Sequence, residues 1–177
     1  MYAPSDDSYL LADCIEHYNG RRALEIGTGS GLLLSILEKN FTYVAGSDID
    51  LQALQHCRQQ TISSNALLVC CDAGSAFGIG KFDLIVSNPP YLPNDDECHN
   101  IRDPTVHGGP TGIETTVHFI NSALPLLAWN GKMLIVISSF ADSRALDNVV
   151  VENKIHKKVV KEKRLFYETL SIIELSI

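Results

Sequence analysis

The stretch VSNPPYL, Val86 to Leu92, ends an apolar, strand-like run on an asparagine followed by two prolines and a tyrosine. Proline fixes φ and removes a backbone donor, so two in succession make a stiff turn that cannot extend the strand. Asn88 presents a side-chain oxygen that can accept one N–H of an incoming amine or amide, and the Pro89 carbonyl can accept another. Pro90 adds stiffness, and the Tyr91 ring can lie against a flat acceptor group. Two fixed acceptors steer a nitrogen lone pair, so the expected chemistry at Asn88, Pro89, Pro90 and Tyr91 is substitution at nitrogen. It would proceed by positioning and electrostatics, with no covalent enzyme intermediate.

A second cluster lies upstream. The segment EIGTGSG places Glu25, Gly27, Gly29 and Gly31 at a strand–helix junction, where glycines permit a tight turn and close approach of a ligand to the backbone. Dinucleotide enzymes share such a turn, so the glycines alone decide nothing. Glu25, inside the strand end, would repel a pyrophosphate and suits a ligand carrying an ammonium or sulfonium group. Asp48, 21 residues after Gly27, closes the next strand, where a carboxylate can accept both ribose hydroxyls. Asp72 closes a third strand and could receive the exocyclic amine of an adenine. Three acids at three strand ends describe S-adenosylmethionine better than a nicotinamide dinucleotide, with Thr28, Ile49 and Ala73 as neighbouring candidate contacts. The alternative is that these acids only cap helices.

The elements that must hold these groups alternate from Arg22 onward. The spacing predicts strands over 22–27, 43–48, 66–72, 82–88 and 132–138. It predicts helices over 30–40, over 50–60 with Asp50 as N-cap, over 112–129 bent at Pro125, and over 140–153. Residues 156–164 and 169–176 alternate as a closing antiparallel pair. A long loop from Pro89 to about Thr111 is expected to fold over the substrate. The pattern reads as a single α/β domain over residues 1–177: a Rossmann-like, seven-stranded, mostly parallel sheet with an antiparallel C-terminal hairpin and helices on both faces.

Composition narrows the class. No apolar run approaches the length needed to span a membrane, and the acidic N-terminus has no secretory pattern. The five cysteines are odd in number and lack C-x-x-C spacing, which predicts reduced thiols and a cytoplasmic setting. Cys98, His99 and His107 share the long loop, but their spacing fits no common zinc pattern, so no metal is expected. A net charge of −7 argues against a protein that grips nucleic acid by its phosphates. The exception is KIHKKVVKEKR, Lys154 to Arg164, which reads either as a solvated edge guarded by lysines or as a patch for an acidic or RNA-bearing partner.

With these residues in place, the chain resembles a class I S-adenosylmethionine-dependent methyltransferase, and NPPY at 88–91 resembles the motif of amino-methylating enzymes. YAPSDDSYLL at 2–11 is similar to the Y-x-P-x-E-D-[ST]-x-L-L opening of eukaryotic and archaeal HemK-like enzymes. YETLSIIEL at 167–175 is similar to their E-T-L-S-V-L final strand, and HGGPTG at 107–112 to their glycine-rich segment. Alanine at residue 3, Asp6 and the SDID at 47–50 depart from the usual pattern without removing a key charge. The resemblance implies the catalytic subunit of a release-factor glutamine methyltransferase, whose acceptor is the glutamine of a Gly-Gly-Gln motif in a class I translation termination factor. It implies cofactor or substrate contacts at Ser8, Glu25, Asp48, Asp72 and Asn88.

No N-terminal recognition domain such as bacterial HemK-type enzymes carry is expected ahead of the cofactor-binding part, so recognition is expected to be shared. NALLVCCD, in the usual strand order, forms an apolar, uncharged sheet edge over 65–72, a place for a partner to add a strand. The resemblance implies that this partner is a small zinc-binding activator subunit. The alternatives are an edge covered by the protein's own chain, an N6-adenine nucleic-acid methyltransferase, another protein acceptor such as lysine, and a catalytically idle scaffold.

Overall fold

A computed structural model describes residues 3–60, 66–94, 103–142 and 144–177. Helix α1 (Asp6–Ile15) precedes β1 (Gly20–Ile26), α2 (Leu32–Asn40), β2 (Phe41–Asp48), α3 (Leu51–Gln60), β3 (Leu67–Cys70) and β4 (Phe82–Ser87). Two short strands follow, β5 (Leu92–Pro93) and β6 (His107–Gly109). The chain closes with α4 (Glu114–Ala123), β7 (Leu127–Ser138), α5 (Arg144–Asn153), β8 (His156–Arg164) and β9 (Thr169–Ser176).

Seven strands form one sheet in the order β3-β2-β1-β4-β7-β9-β8, parallel from β3 to β7 and antiparallel through β9 and β8. Period-two alternation divides the core between two faces. Leu24, Ile26, Ile85, Met133 and Ile135 pack with Ile120 of α4 and Leu146 of α5. Ala23, Leu84, Val86, Leu134 and Val136 pack with Leu11 of α1, Leu34 of α2 and Cys57 of α3. The strand order reverses between β1 and β4, because the chain leaves β3 at one edge and returns on the far side of β1. That reversal opens a crevice at the carboxyl ends of β1 and β4, where sheets of this kind bind ligands.

The predicted α/β architecture holds, with three local differences. Helix α1 was not expected before Arg22, although its start signals are present: Ser5 accepts the Asp6 amide through Oγ at 2.7 Å, and two aspartates occupy the first turn. The helix expected over 112–129 stops at Ala123 and passes through a 3-10 turn, Leu124–Leu126, into β7. The Pro125 and Leu126 carbonyls, left without helical donors, accept the Gly80 and Lys81 amides at 2.9 and 2.8 Å, and the apolar run that follows pairs with β4. The long loop carries the parallel pair β5–β6. Asp50 does cap α3, its Oδ1 accepting the Gln52 amide at 2.8 Å.

The two sheet edges differ. Strand β8 is exposed along its length, and Lys157, Lys161 and Lys163 pair with Asp147, Asp13 and Asp6 of the same chain. Strand β3, the opposite edge, is LLVC, with Leu67 exposed. Cys14, Cys57, Cys70 and Cys71 are free thiols, whereas Cys98 and His99 lie outside the described residues. Among the described residues no helix is long and apolar enough to cross a membrane.

The HGGPTG segment explains its own glycines. A Cβ on Gly108 would collide with the Pro90 carbonyl oxygen, and one on Gly112, which has φ +80°, would collide with the Tyr91 carbonyl oxygen. The obstacles are backbone atoms, which cannot swing aside. Gly108→Ala is therefore expected to destabilise the chain by about 1–3 kcal/mol, read as a lower urea midpoint at unchanged slope.

Candidate active site

A cavity of about 670 Å³ opens at the carboxyl ends of β1, β2, β3 and β4. Its floor is the glycine turn after β1. Gly27, Gly29 and Gly31 take φ of +78°, +50° and +81°, values that glycine reaches without the steric cost of a side chain. The Gly27 and Thr28 amides and the Thr28 hydroxyl all donate to the Ser47 carbonyl at 2.9–3.0 Å, which ties the turn to the end of β2. Asp48 completes the tie: its Oδ2 accepts the Gly29 amide and its Oδ1 the Asp50 amide, both at 2.9 Å. These bonds leave lone pairs on a carboxylate that lines the cavity.

Glu25 is 2% exposed in β1 and also lines the cavity. Its Oε2 has no hydrogen-bond partner. Burial pushes its carboxyl well above the ordinary range, opposed by the Leu34 amide in the first turn of α2 and reinforced by the nearby charge of Asp48. A buried, unpartnered acidic oxygen on a residue that lines a cavity calls for a donor or a cation to complete it.

Asp72 follows β3 at a turn where Ala73 takes φ +45°, an uncommon value for a residue with a Cβ. Its Oδ1 lies 2.8 Å from Nε2 of His118, which projects from α4. Ile49, 76% exposed, stands beside Asp48 on the cavity wall and offers an apolar surface.

The NPPY turn forms the opposite wall, with Asn88, Pro89, Pro90 and Tyr91 all lining the cavity. Asn88 Nδ2 donates to Ser8 Oγ at 3.1 Å, while Asn88 Oδ1 is buried with no partner. Ser8 lies in turn 3.2 Å from Asp7 Oδ1, and the Tyr91 hydroxyl donates to Asp7 Oδ2 at 2.9 Å. Helix α1 thus places Asp7 and Ser8 against the turn, and β6 supports the turn from below through Gly108.

The fold brings together every residue the sequence assigned to the cofactor or the acceptor except Gly31, which caps α2 through its backbone and lies outside the cavity lining. The helix-cap alternative fits Glu25 only through its contact with α2; Asp48 instead braces the glycine turn, and Asp72 meets a histidine. Two polar residues at the site were not singled out in the sequence. Asp7 is one of two adjacent aspartates, and its helical spacing with Leu10, Leu11 and Cys14 is the signal that turns it inward. His118 is separated from Asp72 by 46 residues, and only the packing of α4 joins them. Among the described residues, no three His, Cys, Asp or Glu side chains gather closely enough to share a metal ion.

Comparison with known proteins places this geometry. The family model described as "Methyltransferase small domain" matches residues 5–167. A Methanocaldococcus jannaschii protein provisionally named as an N5-glutamine methyltransferase is 26% identical over 177 residues, covering 98% of this chain and 90% of the relative. A release factor glutamine methyltransferase of Rhodospirillum rubrum is 40% identical over 83 residues, covering 44% of this chain but 25% of that protein's length. Among solved structures, the E. cuniculi Mtq2–Trm112 complex, described as responsible for methylation of the eRF1 translation termination factor, superposes with a TM-score of 0.77. It is 25% identical and covers 98% of this chain and 96% of that one.

The buried glutamate makes a prediction that needs no ligand. In the folded chain Glu25 holds a proton at pH values where the unfolded chain, near the ordinary 4.5, has released it, so its contribution to stability is lost as pH rises. Glu25→Gln carries no such loss. Its melting temperature is expected to match that of the natural chain near pH 4 and to exceed it increasingly toward pH 8, as followed by thermal unfolding at a series of pH values.

Proposed function

From the premise that this chain belongs to the methyltransferase small domain family, we propose that it methylates a glutamine side chain with S-adenosylmethionine as methyl donor. The acceptor is the side-chain amide nitrogen of the glutamine in the Gly-Gly-Gln motif of a class I translation termination factor. Residues 1–177 act as one cytoplasmic catalytic domain. The observation that carries the reading is Asn88, a residue of the cavity wall whose NH2 is held by Ser8 while its Oδ1 is buried without a partner.

The residues present fit the donor. Glu25 supplies an unpaired oxygen for its ammonium group, and a positive charge beside this carboxyl would favour the ionised form that burial resists. Asp48, held by two backbone amides, has lone pairs left for ribose hydroxyls. Asp72 serves the adenine amine, with Ile49 and Ala73 beside it. When bound, S-adenosylmethionine supplies a methyl carbon whose bond to sulfur breaks with the electron pair passing to sulfur.

The chain's own task is to make an amide nitrogen a nucleophile. That lone pair is delocalised into the carbonyl, so the nitrogen must be held pyramidal. Asn88 Oδ1 and the Pro89 carbonyl accept its two N–H bonds, and the prolines keep both acceptors fixed. As the nitrogen bonds the methyl carbon it gains positive charge and both hydrogen bonds strengthen, so the turn stabilises the transition state more than the ground state, and the surplus N–H proton then leaves to solvent. The Tyr91 ring holds the amide plane, and its hydroxyl is anchored on Asp7.

The solved relative is a complex with a second protein. We propose that a small zinc-binding activator subunit adds a strand to β3, because that edge is short and uncharged whereas the β8 edge carries lysines.

Labelled methyl transfer to a purified termination factor tests the activity. Label is expected on the natural factor and absent when Gly-Gly-Gln becomes Gly-Gly-Arg, with Asn88→Ala lowering the rate by about 100-fold or more. Label that persists on the arginine variant sinks the glutamine assignment. For the partner, co-expression with the activator is expected to raise solubility and donor affinity, and Leu68→Lys on β3 to abolish the gain. A fully active, monodisperse chain without the activator counts against the pairing.

A further inference from the structure

We propose that Asp7 is a positioning residue that sets the direction of the hydrogen bonds around Asn88, so that the carboxamide presents its oxygen, not its NH2, to the acceptor nitrogen. The inference rests on the role given to Asn88 above. Asp7 is 2% exposed, in the first turn of α1, and both of its oxygens are engaged. Oδ1 accepts the Ser8 amide at 2.5 Å and faces the Ser8 hydroxyl at 3.2 Å; Oδ2 accepts the Tyr91 hydroxyl at 2.9 Å.

A carboxylate accepts hydrogen bonds and donates none. The Ser8 hydroxyl has one proton, and beside Asp7 that proton is committed to the carboxylate. Only lone pairs of Ser8 Oγ then face residue 88, at 3.1 Å. The group of Asn88 that meets them must be the NH2, which leaves Oδ1 as the end of the carboxamide free to accept. The two ends of a carboxamide are nearly the same size, so packing alone would not choose between them. A flipped Asn88 would confront the substrate amide with two donors against two donors. The same carboxylate fixes the Tyr91 ring, so a single residue of α1 orders both ends of the NPPY turn, 84 residues away in sequence at Tyr91.

Asp7→Asn keeps the shape and removes the polarity, because an asparagine there can also donate and so lets the Ser8 proton turn toward Asn88. The turnover number for methyl transfer is expected to fall by about 10- to 100-fold. The KM for the termination factor and the affinity for S-adenosylhomocysteine, measured by calorimetry, are expected to stay within about threefold. Ser8→Ala interrupts the same chain, so the double variant should be no slower than the worse single one. In the unaltered protein, the Asn88 carboxamide is expected to give two separate, slowly exchanging N–H resonances in a 15N spectrum. An undiminished turnover number in Asp7→Asn, losses that multiply in the double variant, or a freely exchanging Asn88 amide in the unaltered chain would each overturn the proposal. The spectrum and the calorimetry need no protein substrate. Failure of the glutamine reading appears separately, as an unlabelled termination factor with the Asn88 resonances still protected.

Discussion

A polar atom removed from water without a partner costs on the order of 1–3 kcal/mol, and the carboxyl end of this sheet holds two of them. Glu25 Oε2 on β1 and Asn88 Oδ1 after β4 are both buried, unpaired and on neighbouring strands. A chain selected for stability alone would bond or remove them. Their persistence side by side, at the point where the strand order reverses, is the constraint around which the surrounding structure is arranged. Each needs rigid support, because an unpaired polar side chain otherwise rotates toward water or toward the nearest donor.

That support comes from backbone contacts. The glycine turn is held to β2 by the Ser47 carbonyl and the Asp48 carboxylate. The NPPY turn rests on the backbone of residues 108–112, at distances that leave no room for a Cβ. From above, α1 contributes Ser8 and Asp7. The two walls are thus fixed independently, one by the parallel sheet and one by a helix and a loop that lie on either side of the NPPY turn in the sequence. Rigid walls suit a reaction in which little is done by proton transfer and much by holding a nitrogen in line with an electrophilic carbon.

The sheet edges show a related economy of charge. At β8 the lysines form ion pairs with acids of α1 and α5, and their charge discourages pairing with another strand. At β3, a four-residue strand carries no charge and exposes Leu67. Among the described residues, β3 therefore lacks the charged guard that β8 carries.

How much of this was legible depended on the range of the information. The seven strands, their parallel and antiparallel halves, the Asp50 cap and the placing of Glu25, Asp48, Asp72 and Asn88 at or just beyond strand ends could be read from alternation, glycine spacing and residue type, because each is encoded within a few neighbouring positions. The start of α1 was encoded too, in Ser5 and the aspartates after it, but its identity as a helix was obscured by the motif it carries. The end of α4 was not: ALPLLAW is equally apolar as helix or strand, and only the Gly80 and Lys81 amides, reaching in from elsewhere, settled where the helix gave way to β7. His118 beside Asp72 and Asp7 beneath Tyr91 belong to the same class. The sequence by itself determined which groups the protein possesses and the strand ends from which they project. Only the tertiary structure decided which of those groups face one another and in which direction their hydrogen bonds run, because that depends on contacts between segments up to 84 residues apart, on which local residue preferences have no bearing.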